Sequence, residues 1–151
     1  MNDGMTAAPA AKVPATYWVI AILSLVWNAF GGVDYVMTRT RNMDWLAQAG
    51  DPQVLLRWID SFPLWAQVAW PVGVWASVLG SVLLLARSRH AATAFLVSLA
   101  GAVISFAYQF STPAPAELDT TMNKVMPIVI LAIIAALWLY AKRSGEKGWL
   151  K

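Results

Sequence analysis

The sequence predicts an all-α integral membrane protein: a four-helix bundle of spanning segments, both chain ends on the cytoplasmic side, with a short interfacial helix in the first outer loop. Three observations carry this. The chain is 59% hydrophobic and 13% charged, with a mean hydropathy of +0.57, whereas soluble domains carry about 25% charged residues. Its apolar residues gather into four blocks of about 20, the length that crosses a hydrocarbon core. The basic residues lie between and beyond those blocks, where they set orientation.

The elements follow in order. Residues 1–15 are rich in Ala, Pro and Thr and lack periodicity, which predicts a disordered tail. The run 17–37 reaches about 31 Å as a helix and spans. A cleaved signal peptide is the competing reading. Against it, the preceding region holds a single lysine, Lys12, no small-x-small site follows, and three more apolar runs come after. Residues 38–63 are polar but contain Trp45 and Trp58. Asp51 before Pro52 is an N-cap with proline at the first helical position, and Val54, Leu55, Trp58 and Ile59 then share one face, so a short helix on the membrane surface is expected.

The second span covers 64–86 and holds Pro71. Arg87, Ser88, Arg89 and His90 turn the chain directly into the third, 91–110, making these two helices antiparallel neighbours. A loop with Pro113 and Pro115 leads to the fourth, 125–141, with Pro127 expected in its first turn. Residues 16–142 thus form one membrane domain, and 143–151 are expected to be a soluble tail. Lys12, Arg87, Arg89, Lys142, Arg143, Lys147 and Lys151 fall on one side, against Arg39, Arg41, Arg57 and Lys124 on the other. This excess places both ends inside.

Lipid supplies no hydrophobic drive between helices, so contact depends on small residues and a few polar side chains. Span one offers Ser24, Asn28, Gly31 and Tyr35, with Gly32 alongside; span two Gly73, Ser77 and Gly80, with Ser81 alongside; span three Ala94, Ser98, Gly101 and Ser105. Close packing and a lined cavity both account for such stripes. Span four offers only Ala132, Ala135 and Ala136, and should be the most exposed to lipid.

Asp34 is the ionisable residue inside an apolar run, three residues before the outer end of span one. Such a carboxylate points to function, or at this depth to headgroup water or a pairing with Arg39 or Arg41. Tyr35, Gln67, Trp70, Tyr108 and Gln109 share its depth, and Asn28 lies deeper. Together they make a candidate outer pocket, whose aromatic faces and amides would suit a small polar solute. Tryptophans 27, 70 and 75 lie within spans, either filling space near Pro71 or lining a site; the others lie near the expected interfaces. The chain has no cysteine, and His90 stands alone in its turn, so haem, quinone and zinc find no foothold and no cofactor is expected. No nucleotide-binding glycine loop, hydrolase set or nucleic-acid-binding face is visible, and no enzymatic activity is expected.

The segment Trp27-Asn28-Ala29-Phe30-Gly31-Gly32-Val33-Asp34-Tyr35, then Ser61-Phe62-Pro63 with Trp65 and the run from Gly80 to Arg89, resembles a family of small four-span bacterial inner-membrane proteins, chiefly alphaproteobacterial. That family is often labelled "sugar transporter" without an established mechanism. The resemblance covers the first three spans, implies an inner-membrane address and singles out Asn28, Asp34 and Tyr35. Two functions compete. One is an accessory or structural membrane component that forms a homo-oligomer or binds a larger membrane partner. The alternative is an oligomeric carrier for a small polar solute such as a sugar.

Overall fold

The computed structural model describes residues 11–151, so residues 1–10 of the expected tail lie outside the described residues. The elements are α1 (Ala15–Arg39), α2 (Met43–Leu46), α3 (Pro52–Asp60), α4 (Leu64–Leu85), α5 (Ala91–Ser111), a 3-10 turn (Ala116–Leu118) and α6 (Thr121–Glu146). The described residues contain no strand. Helices α1, α4, α5 and α6 are long and apolar enough to cross a bilayer.

Helices α4 and α5 form the central antiparallel pair, with α1 laid on α4 and α6 on α5. Their register is set by glycine. A Cβ on Gly101 would lie 2.7 Å from the Gly73 nitrogen, and one on Gly80 would lie 2.9 Å from the Phe95 ring. Small side chains let the two backbones touch, which is how helices gain attraction in a solvent as apolar as their own surfaces. On α1 the packing glycine is Gly32, where an added Cβ would lie 3.4 Å from the Trp75 ring. The expectation for Gly31 is corrected, because open space lies where its Cβ would be.

The fourth span has the smallest buried share of its apolar window, 17%. Its contact side is Ile134, Leu137 and Ala141, while Ala132 and Ala136 are exposed. Large side chains therefore hold α6 against α5. The helix also begins earlier than expected, capped by the Thr120 hydroxyl, which accepts from the Asn123 N–H at 3.2 Å. Pro127 consequently sits in the second turn, buried.

Three helices end in the same six-residue closure. After α1, the N–H of Arg41 bonds to Thr38 and that of Asn42 to Met37; after α4, Arg87 bonds to Leu84 and Ser88 to Leu83; after α6, Gly148 bonds to Gly145 and Trp149 to Ser144. Each is a Schellman closure with its penultimate residue left-handed. Gly148 takes that conformation freely at φ 72°, but Arg41 and Arg87 adopt it at φ 57° and 56° against their side-chain preference. Both arginines are used: Arg41 pairs with Asp60 at 3.0 Å, and Arg87 Nε donates to the Trp149 carbonyl at 2.8 Å.

The C-terminal segment is the largest departure from the sequence reading. It is not a free tail. After α6 the chain turns back and pairs with the α4–α5 turn: the Lys151 N–H donates to the Arg87 carbonyl at 2.6 Å, and the Lys151 carbonyl accepts from Arg89 at 2.9 Å. Leu150 enters a cluster with Tyr17, Ala21, Leu84, Phe95 and Leu137. Tyr17 is fully buried, donates its hydroxyl to the Leu84 carbonyl, and meets the rings of Tyr140 and Trp149 at 6.1 and 6.0 Å. Lys147 lies 4.6 Å over the Trp149 ring. This knot joins the first span, the last span and the central pair at the end that holds both described chain ends; that end is called the turn end below, and the opposite one the loop end.

Candidate functional site

The expected outer pocket does not assemble as one site: Tyr35 and Trp70 meet, but Asn28, Asp34, Gln67, Tyr108 and Gln109 are not gathered around them. Successive helical residues are rotated by about 100°, so Asp34 and Tyr35 cannot both face α4. Asp34 shares the exposed face of α1 with Phe30, and the two hold Trp45. The Asp34 Oδ1 accepts from Trp45 Nε1 at 2.8 Å, and the Phe30 and Trp45 rings lie 5.8 Å apart. Its partner is thus an indole, and neither Arg39 nor Arg41. Tyr35 turns the other way and meets Trp70 and Trp75 edge-on at 5.0 and 6.1 Å. Tyr108 stands with Phe62 and Trp65, at 4.9 and 5.2 Å.

Asn28 lies buried in the seam between α1 and α4. Its Nδ2 donates to Ser81 Oγ at 2.8 Å, and Ser24 Oγ lies 2.6 Å from the same atom. Ser81 in turn donates to the Ser77 carbonyl at 3.0 Å. A hydroxyl has one proton and two lone pairs. With its proton on Ser77, Ser81 accepts from both Ser24 and Asn28, so its hydrogen-bonding capacity is filled. On the other side of α4, Ser98 Oγ donates to the Gly73 carbonyl at 2.6 Å. The polar stripes of the first three spans are thereby stitched to one another, since an unpaired hydroxyl or amide at this depth is costly.

Two cavities lie at the loop end. One, of about 340 Å³, lies between α3, the last turns of α5 and the first turns of α6; Gln109, Trp58, Asn123 and the Asp119–Lys124 ion pair line it with Phe106 and Ile130. The other, of about 290 Å³, lies between the end of α1, α3 and the start of α4, with Thr38, Arg39, Arg41, Asp60 and Gln67 in its wall. Gln67 also donates to the Phe62 carbonyl at 2.8 Å, tying α4 to the loop before it. Gln67 and Gln109 therefore belong to different cavities.

Helix α3 forms the roof of this end. Asp51 caps it through Oδ1, which accepts from the N–H groups of Gln53 and Val54 at 2.8 and 3.2 Å. Thr38 escaped the sequence reading. It continues the spacing of Asn28, Gly31 and Tyr35, and that continuation was the available signal. Among the described residues no three His, Asp or Glu side chains gather at ligand spacing. No protein-family model, curated protein or solved structure matches this chain.

Proposed function

We propose that the chain is a non-enzymatic accessory or structural component of a bacterial cytoplasmic membrane, both termini in the cytoplasm, working by association with itself or with a larger membrane protein. The observation that supports this most is the use made of the polar groups within the spans. Ser24, Asn28, Ser77 and Ser81 bond α1 to α4, or α4 to itself, and Ser98 bonds α5 to α4. A carrier keeps such groups along its interior for the solute; here they hold helices together. The excess of Lys and Arg at the turn end supports the orientation, and α3 above the loop end has the apolar face of an interfacial helix. The resemblance of the Asn28 to Tyr35 segment supports the bacterial address.

The test is a fluorescence titration of the purified protein in detergent with neutral sugars and polyols, read through Tyr35's neighbours Trp70 and Trp75. The expected result is no saturable change, in protein shown to be folded by circular dichroism. A saturable response to one sugar class, lost in Asp34→Asn, would replace this reading with that of a solute carrier.

A further inference from the structure

The cavity between α1, α3 and α4 has a wall whose donors are not spent on the protein. Thr38 is 7% exposed and lines it, and its hydroxyl makes no hydrogen bond among the described residues. Thr40, two residues on, instead donates to the Val36 carbonyl at 2.8 Å. The described ion pairs are Arg41–Asp60 and Lys124–Asp119, so the Arg39 guanidinium has no carboxylate partner. Gln67 gives one N–H to Phe62 and keeps the other. Leu56 and Ile59 complete the wall.

Charge points the same way. Arg39 and Arg41 bring two positive charges, and Asp60 brings one negative charge already held by Arg41 through both oxygens, at 3.0 and 3.2 Å. One positive charge is left over. The partial negative charge at the end of α1 is masked, because the carbonyls of Met37 and Thr38 accept from Asn42 and Arg41. A guanidinium, a hydroxyl and an amide N–H facing one polar space are the complement of an oxyanion, and Arg is the side chain whose planar fork matches phosphate.

We propose that this cavity binds a phosphate oxyanion, held by Arg39 with Thr38 and Gln67 as further donors and the Arg41–Asp60 pair as one wall. Two sources present that chemistry at the end of a spanning helix: the headgroup of a membrane phospholipid, and a soluble phosphate ester. The site is independent of the function proposed above.

The experiment is isothermal titration of the full chain in a maltoside detergent and phosphate-free buffer, with glycerol 3-phosphate, with dihexanoyl phosphatidylglycerol, and with glycerol as the uncharged control. Saturable binding of a phosphate probe and none of glycerol is expected. Arg39→Gln and Thr38→Val should each weaken it by about tenfold or more, as for hydrogen bonds to a charged group. Binding of both probes identifies a soluble ester as a sufficient ligand; binding of the lipid alone identifies the headgroup. Failure of both probes to saturate, or equal binding of glycerol, overturns the proposal. So does unchanged affinity in folded Arg39→Gln, and if that variant does not fold, unchanged affinity in Thr38→Val decides in its place.

Discussion

Gly101→Ala should destabilise the bundle by about 1–3 kcal/mol, the cost of overpacking a filled interior, and Gly101→Leu should prevent α4 and α5 from closing. The added Cβ would meet the Gly73 nitrogen at 2.7 Å, the Ala69 carbonyl oxygen at 2.9 Å and the Gly73 Cα at 3.1 Å. All three are backbone atoms, so no side-chain rotamer relieves the contact and the helices have to separate. Separation would also lengthen the bond from Ser98 to the Gly73 carbonyl. Gly31→Ala is the matched control: nothing lies within 4 Å of its added Cβ, and alanine favours the helix by about 1 kcal/mol. Thermal unfolding in one detergent should place the Gly101 variants below wild type and Gly31→Ala at or above it. Equal behaviour of Gly31→Ala and Gly101→Ala would remove the argument that backbone contact sets the register.

The second large effect is expected at the C-terminal return. Leu150→Asp should cost about 3 kcal/mol or more. It loses the burial of a leucine, worth about 1.5–3 kcal/mol, and places a carboxylate against Tyr17 and Leu84 in the cluster. The strain accepted by Arg87 in its left-handed conformation is supported by its bond to the Trp149 carbonyl, so loosening the return also weakens the α4–α5 turn. The measurement is again the unfolding midpoint, with Trp149→Ala as a milder companion that removes one wall of the Tyr17 site. A free tail would tolerate both changes without a shift.

Much of the fold was legible because the bilayer imposes strong rules. Four apolar runs, the tight basic turn and the Asp51-Pro52 helix start each rest on a local signal, and each is present. The stripes of spans two and three were legible too, since Gly73, Ser77, Gly80, Ser98, Gly101 and Ser105 are all buried and Ala94 is half-buried. What escaped depended on phase and on long-range pairing. Gly31 and Gly32 are neighbours about 100° apart, and composition does not say which of them faces α4. Asp34 and Tyr35 differ in the same way, which is why a shared depth in the membrane did not become a shared pocket. The C-terminal return pairs Lys151 with Arg87 and Arg89 across the chain, and a short segment rich in Lys and Gly carries no periodicity to announce such a pairing. Arg41 and Arg87 occupy positions where glycine is the usual marker, so those helix ends lacked their common signature.

Cysteine accessibility tests the central claim, that the polar residues between α1 and α4 are packing and not a path. The chain has no cysteine of its own, so each introduced thiol is read without background. Ser88→Cys in the turn end and Thr40→Cys in the loop end should react with a membrane-impermeant maleimide from opposite faces of sealed vesicles, Ser88→Cys from the cytoplasmic one. Ser81→Cys, at a position with 0% exposure, should react from neither. Labelling of Ser81→Cys from either face, in protein that retains its unfolding midpoint, would mean that water reaches the seam and would contradict the account.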